Sequence, residues 1–236
     1  HVASIDLRTG EVRRLADIKR AMLYKVASVA YDPSTGTVFY TNDNLALRDL
    51  MAVDVKTGVS RTLLAAARGG EVVVNPVDKS IWGVRHENGF AAIVRLEPPY
   101  DVWRRVAAFE YGNVPYDLDV SPDGRRLSAS VSEVSGVQFV GVWDSERLMA
   151  GDVKRLSEFR FGQSVPESFV FSKDGRYLYG SSYYTGVSNI FRYEVATGDI
   201  VAVSNAETGY FRPLPTADGK LVVLTYTAEG FVPAII

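Results

Sequence analysis

The chain repeats one pattern five times along its 236 residues, an apolar strand followed by a tight turn and a second apolar strand. The turns centre on Thr35-Gly36, Asp78-Lys79, Asp123-Gly124, Asp174-Gly175 and Asp218-Gly219, and they lie 43, 45, 51 and 44 residues apart. Asp-Gly between two apolar runs is a strong hairpin signal because glycine takes a positive φ without a Cβ penalty. This near-constant spacing predicts a repeat architecture.

A second hairpin turn follows in several units, at Thr9-Gly10, Thr57-Gly58 and Thr197-Gly198. The two middle units replace it with the longer connections LEPPYDVWRRV and VWDSERLMAGDVKRL, and SERLMAGD is long enough for one helical turn. Each unit therefore holds two hairpins, and its strands are rich in Val, Ile, Tyr, Phe and Thr. Four-stranded units at this period predict an all-β fold, a β-propeller of four-stranded antiparallel blades. The strand aromatics Trp82, Trp103, Trp143, Phe169, Phe171 and Tyr179 are predicted to pack between blades.

We expect one propeller domain over residues 1–236, with complete blades at about 24–68, 69–113, 114–163 and 164–209. Residues 1–18 supply the last strands of a blade, and residues 210–236 supply the first two or three. These are about five blades' worth of sheet, which fits either a closed five-bladed ring or an arc of a larger propeller. Both ends of the chain read as strands, so we expect it to be a piece of a longer protein.

The composition restricts the chemistry. The formal net charge is −2, which gives no general attraction to nucleic acid or anionic lipid. There is no cysteine, His1 and His86 are the only histidines, and no apolar run approaches the ~18 residues of a membrane span. We therefore expect no cofactor, no metal, no nucleic-acid partner and no direct membrane insertion by this segment.

Two units resemble the TolB-like, WD40-like (PD40) repeat of bacterial envelope propellers. Ser121-Pro122-Asp123-Gly124-Arg125 matches the repeat's turn fully, and Ser172-Lys173-Asp174-Gly175-Arg176 matches it with Lys for Pro. Ile190 to Gly198 resembles the later Ile-Phe-Arg-x-Glu-x-x-Thr-Gly motif. The resemblance covers nearly the whole chain and implies a periplasmic or cell-envelope location and a protein partner. These associations are analogies, because a propeller supports many unrelated functions.

On the face opposite the hairpin turns, loops surround the mouth of the channel, the usual binding surface of a propeller. The candidate contact residues there are Asp43, Arg48, Asp49, Arg85, His86, Glu87, Glu133, Tyr183, Tyr184 and Glu229. Their side chains can form hydrogen bonds with a peptide or sugar, and the tyrosines can stack. Solvation alone also explains polar loop ends on any propeller.

No catalytic motif stands out. His86 and Glu87 are adjacent on a predicted strand and would point to opposite faces, and no G-x-S-x-G elbow is present. The first-strand acids Glu71, Asp117, Asp119 and Glu167 could reach the channel wall as paired carboxylates, or could accept hydrogen bonds from backbone. We therefore expect a non-catalytic protein- or peptide-binding or scaffolding module. The alternatives are an accessory propeller of a larger hydrolase or peptidase, and a propeller enzyme such as a lactonase or glycosidase.

Overall fold

The computed structural model describes residues 2–16, 28–43 and 47–236, which form antiparallel sheets arranged one after another along the chain. The N-terminal sheet pairs β1 (Val2–Ile5) with β2 (Val12–Ala16). Blade 1 contains β3 (Val29–Asp32), β4 (Thr37–Asp43), β5 (Arg48–Asp54) and β6 (Ser60–Leu64). Blade 2 contains β7 (Gly69–Val74), β8 (Ile81–Glu87), β9 (Phe90–Leu96) and β10 (Arg104–Ala108).

Blade 3 contains β11 (Val114–Val120), β12 (Arg126–Ser132), β13 (Gln138–Asp144) and β14 (Ser157–Gly162), with helix α1 (Ser145–Met149) between the last two strands. Blade 4 contains β15 (Pro166–Phe171), β16 (Tyr177–Ser182), β17 (Asn189–Glu194) and β18 (Ile200–Ala202). The C-terminal sheet contains β19 (Tyr210–Pro215), β20 (Leu221–Thr227) and β21 (Gly230–Ile235). Within the part of the chain that the structure describes, no strand pairing joins the two terminal sheets.

The predicted fold class is confirmed: the chain is an all-β propeller of four-stranded antiparallel blades, with about five blades' worth of sheet. The turns lie where the repeat places them. Gly36, Gly124, Gly175 and Gly219 have φ between +66° and +83°, and Lys79 has φ +64°. The predicted helical turn is present as α1, where Asp144 Oδ1 accepts a hydrogen bond from the Arg147 N–H at 2.9 Å.

The hydrophobic core lies between successive sheets. Trp82 of blade 2 and Trp143 of blade 3 share one buried cluster, and Phe169 and Phe171 of blade 4 share the next with β13 of blade 3. Trp103 packs against the cluster between blades 1 and 2, and Tyr179 against the cluster between blade 4 and the C-terminal sheet. The prediction that these aromatics pack between blades is therefore confirmed, and the face-to-face packing fixes each blade against its neighbours.

The first strands of successive sheets lie side by side and are irregular. The pairing register shifts in β7, β11, β15 and β19, and each shift includes a non-glycine residue with positive φ. These residues are Glu71 (+53°), Asp117 (+47°), Ser168 (+53°) and Arg212 (+50°). Such β-bulges bend a strand and free main-chain groups from the ladder. The freed groups become available to the neighbouring blade. No helix among the described residues has the length and apolarity that a membrane crossing requires.

Candidate functional site

The bulged residues line a cavity of about 340 Å³ at the axis of the propeller. Each lies four residues before the residue at which its blade's first turn begins, so they occupy equivalent positions. The equivalent residue of blade 1 is a serine, which completes the set. The cavity wall is formed by Ser28, Glu71, Asp117, Ser168 and Arg212, together with Val29, Val72, Leu118, Phe169 and Val170.

Side-chain oxygens of one blade accept hydrogen bonds from the main chain of the next. Ser28 Oγ accepts from Val72 N at 2.6 Å, and Glu71 Oε2 accepts from Asp117 N at 2.8 Å. Asp117 Oδ2 then accepts from Ser168 N at 2.7 Å. We call these three hydrogen bonds the inter-blade ladder. It satisfies N–H groups that the irregular strands would otherwise leave unpaired in a partly buried region.

The two acids of the ladder have raised pKa values. Burial raises the pKa of Glu71, and the nearby charge of Asp117 adds to the effect, while the Asp117 N–H and the cations Arg48 and Arg212 act against it. Burial also raises the pKa of Asp117, opposed by the Ser168 N–H and by Arg212. The wall thus places two acids and an exposed arginine around one cavity. Such a surface can bind groups of either charge.

Two of the predicted mouth residues lie close to this wall. Arg48 begins β5 and reaches across to blade 2, where a Cβ on Gly70 would lie 3.1 Å from its Nη1. His86 lies near the end of β8, and its pKa is lowered by burial and by the charge of Arg48. Glu167, near the start of β15, is exposed as a whole residue, but partial burial of its carboxyl and the charge of Asp117 raise its pKa, against the charge of Arg212. The charge of Arg48 thus lowers the pKa of Glu71 on the wall as well as that of His86.

Four predicted residues are held by neighbours away from the wall. Asp49 Oδ1 accepts from Ala66 N at 2.8 Å and so fixes the loop after β6. Arg85 Nη2 lies 3.7 Å from Glu87 Oε2 on the same strand. Glu133 accepts from Arg160 Nη1 at 3.2 and 3.3 Å, an ion pair on the outer part of blade 3. These contacts distribute the predicted residues over the rim and do not gather them into one cluster.

The predicted tyrosines belong to two different aromatic groups. The ring of Tyr183 lies 6.1 Å from the ring of Phe211 in β19. The ring of Tyr184 lies 5.5 Å from that of the buried Phe161, in an edge-to-face contact. Tyr183 is therefore available on the side of the C-terminal sheet, whereas Tyr184 contributes to packing as well as to the surface.

Glu229 lies in the exposed turn between β20 and β21, where its N–H donates to Thr227 Oγ1. Asp43 ends β4, and its side chain lies outside the described residues. The assignment of these residues to a partner-binding surface stays a prediction. Within the described residues, no group of three or more His, Asp or Glu side chains is arranged to hold a metal ion.

Sequence reasoning missed Ser28, Ser168 and Arg212 as wall residues, although it included Glu71 and Asp117. The signal was present, because aligning the units on their first turns places all five in one column. The shared position was not evident from residue type, since this column contains Ser, Glu, Asp, Ser and Arg, which have little chemistry in common. A positive φ at Glu71, Ser168 and Arg212 was not foreseeable, because these residue types rarely adopt it, whereas aspartate, as at Asp117, does so more often.

No protein-family model and no curated protein matches the chain. Solved structures do match its fold. The putative TolB from Agrobacterium tumefaciens has a TM-score of 0.74 and 18% identity, covering 97% of this chain and 78% of that one. TolB from Acinetobacter baumannii has a TM-score of 0.65 and 21% identity, covering 89% of this chain and 49% of that one.

The chain thus has the fold of the TolB-like β-propellers and spans about half the length of the Acinetobacter baumannii protein. Enzymes share this fold as well. An oligogalacturonate lyase in complex with manganese has a TM-score of 0.66 and 15% identity, covering 99% of this chain and 69% of that one. An acylaminoacyl peptidase and a nidogen–laminin complex are further matches. The fold therefore defines a propeller module and leaves its function to be argued from the site.

Proposed function

We propose that this chain is a non-catalytic propeller module that binds a protein or peptide partner at the channel mouth, within a periplasmic or cell-envelope protein. The observation that carries the proposal is the cavity of about 340 Å³ whose wall combines Glu71, Asp117 and Arg212. An extended peptide presents amides, a charged terminus and side chains of either charge, and this wall offers partners to each.

The rim supports the same proposal. Tyr183, Tyr226 and Phe231 are each more than half exposed and form a chain of ring contacts through Phe211. Exposed aromatic side chains beside a polar cavity are typical of surfaces that bind protein partners, because they bury a large area at low entropic cost. Similar structures include TolB proteins and a nidogen–laminin complex, and this similarity supports a protein as the class of partner.

A site-specific photo-cross-linking experiment tests the proposal. A photoreactive amino acid is placed at Tyr183 on the mouth, and at Lys220 in the opposite hairpin turn as a matched exposed control. We expect a discrete cross-linked partner from position 183 in cells that produce the parent protein, and none from position 220. The double variant Asp117→Asn/Arg212→Ala should weaken the cross-link. Equal products from both positions, or an unchanged yield in the double variant, would contradict a mouth-bound partner.

A second function is favoured by the match to a peptidase, namely an accessory propeller that controls access to a hydrolase domain. The raised pKa values of Glu71 and Asp117 also leave room for acid–base chemistry on the wall itself. The flanking sequence of the parent protein separates these possibilities. A nucleophile elbow in a flanking hydrolase segment would favour the accessory domain, and its absence together with an identified partner would favour the binding module.

A further inference from the structure

A second cavity, of about 350 Å³, lies on the face of blade 2 that is turned toward blade 1. Its wall includes Arg85 and Glu87 of β8, Phe90 and Ala92 of β9, and Arg105 and Ala108 of β10, with Trp103 beside them. We call it the Ala92 pocket. It shares no residue with the wall of the channel cavity.

The internal repeat shows why this space is open. Ala92 pairs with Arg85 across β8 and β9, and Phe139 pairs with Val131 at the equivalent position of blade 3. On the outer strand, Ala108 pairs with Ala92, whereas Arg160 pairs with Phe139. Blade 2 therefore has two alanines where blade 3 has a phenylalanine and an arginine. The missing side chains account for the cavity.

Blade 3 shows what this location accommodates. The guanidinium carbons of Arg155 and Arg160 lie 4.9 and 5.3 Å from the centre of the Phe139 ring. A phenyl ring at this position is thus held by two cations, a favourable arrangement for an aromatic face. Blade 2 also has two arginines beside this location, Arg85 and Arg105, although at other positions of its strands. It has no phenyl ring there, because Ala92 stands at the position of Phe139.

The arginines of the pocket have unused hydrogen-bonding capacity. Arg85 Nε is buried and has no hydrogen-bond partner within the described chain. Arg85 Nη2 forms an ion pair with Glu87 Oε2 at 3.7 Å, a distance too long for a hydrogen bond. Arg105 is exposed, and no ion pair to it occurs among the described residues. Trp103 is fixed at the wall by a hydrogen bond from its Nε1 to Ala67 O at 3.1 Å. The pocket therefore combines a fixed aromatic wall, two small residues and two arginines, of which Arg105 has no acidic partner in the described part of the chain while Arg85 faces Glu87.

We propose that the Ala92 pocket binds a small aromatic carboxylate, with the ring over Ala92 and Ala108 beside Trp103 and the carboxylate on Arg85 and Arg105. The ring of the ligand occupies the space that the side chain of Phe139 fills in blade 3. The carboxylate satisfies guanidinium donors, since arginine pairs with carboxylates through charge-assisted hydrogen bonds. The same chemistry is present in a free aromatic acid and in the C-terminal aromatic residue of a peptide.

The test measures binding of N-acetyl-phenylalanine, its amide, and a peptide that ends in phenylalanine, by calorimetry and by tryptophan fluorescence. Trp82 and Trp143 are almost fully buried, so a change in emission on binding reports mainly on Trp103. We expect saturable binding of the acid and at least roughly tenfold weaker binding of the amide, because a charge-assisted hydrogen bond is lost. Tight binding of the peptide with weak binding of the free acid would assign the pocket to a peptide terminus, still by the same chemistry.

Three variants locate the ligand. Ala92→Phe fills the pocket with the ring that blade 3 has and should abolish binding. Arg105→Gln alters an exposed side chain, should leave the fold intact and should weaken binding about tenfold or more. Arg104→Gln is the matched control on the same strand, outside the pocket wall, and should bind as the wild type does. The proposal is overturned if neither probe acid binds, if acid and amide bind equally, or if Arg105→Gln binds unchanged, whether or not Ala92→Phe folds.

Discussion

The main-chain N–H of Asp117 donates a hydrogen bond to Oε2 of Glu71 at 2.8 Å, across the boundary between blades 2 and 3. Both residues have positive φ and lie in irregular segments of their strands. The bond replaces a ladder hydrogen bond that the irregular strand cannot make. The acid therefore has a structural role in addition to any role in binding.

Replacing Glu71 by alanine should destabilise the fold, because the Asp117 N–H loses its acceptor in a partly buried region. We expect a loss of about 1–3 kcal/mol in the free energy of unfolding, measured by urea denaturation. Glu71→Gln keeps an acceptor oxygen and should cost clearly less. Equal stability of the alanine and glutamine variants would show that the hydrogen bond contributes little.

Asp119 should make stability depend on pH. Its Oδ2 accepts from Phe171 N at 2.6 Å, and removal from water raises the pKa of this carboxyl to about 7. The pKa of an aspartate in the unfolded chain is about 4, so between about pH 4 and pH 7 the folded protein holds a proton that the unfolded chain has lost. Stability from this group is therefore present below pH 4 and is lost as the pH rises toward 7.

The variant Asp119→Asn keeps the acceptor and removes the titration. We expect the wild type to lose roughly 1–3 kcal/mol between pH 4.5 and 7.5 that the variant retains. Thermal denaturation across this range measures the difference. The variant should keep a smaller slope of the same sign, because the pKa values of Glu71 and Asp117 are also raised. Parallel curves for the two proteins would mean that Asp119 does not titrate as described.

Gly180 should not tolerate a side chain. A Cβ at this position would lie 2.1 Å from Cδ2 of the buried Phe169. Gly180→Ala should therefore cost about 1–3 kcal/mol of stability through overpacking, measured by urea denaturation. The double variant Gly180→Ala/Phe169→Leu should recover part of this loss, because the two residues are in contact. Strictly additive effects would contradict a direct clash.

The turn residue Asp174 should stabilise the hairpin of blade 4 through two hydrogen bonds. Its Oδ1 accepts from Ser172 Oγ at 2.6 Å and from Arg176 N at 3.0 Å, and both bonds lower its pKa. Asp174→Ala should lower the melting temperature, with a cost near 1 kcal/mol. Asp174→Asn serves as the control that keeps an acceptor. Since the folded pKa is depressed, the contribution of Asp174 is present above about pH 4 and is lost as the pH falls through the folded value.

The sequence predicts the architecture well, because the turns and strands of the repeat are determined by short stretches of sequence. Asp123-Gly124 and Asp174-Gly175 define turns by backbone preference alone, and the strand pattern around them follows from burial. Trp82 and Phe169 could be assigned to blade interfaces because a large apolar side chain in a strand of a repeat has few other places to be buried. Two expectations stay predictions: that residues 1–236 form one domain, and that this domain belongs to a longer protein.

The site was less predictable, because it depends on contacts between blades. Glu71 and Asp117 were two of four acids that could reach the wall or bond to backbone, and the sequence did not choose between these roles. Their hydrogen bonds to the next blade accompany a positive φ, which glutamate does not favour. Arg85 was expected at the channel mouth, which stays a prediction, and its place in the wall of the Ala92 pocket was not foreseen. That pocket results from two small side chains, and only a comparison with blade 3 in three dimensions shows what is missing.

The inter-blade ladder has a direction, since every acceptor belongs to the earlier blade and every donor to the later one. The blades are consequently not interchangeable parts. At the three interfaces that the ladder joins, a replacement blade would have to bring a matching acceptor or a free N–H for its neighbour. Exchange of blades at these interfaces is therefore constrained by a few residues, even though the apolar faces of the sheets are broadly alike.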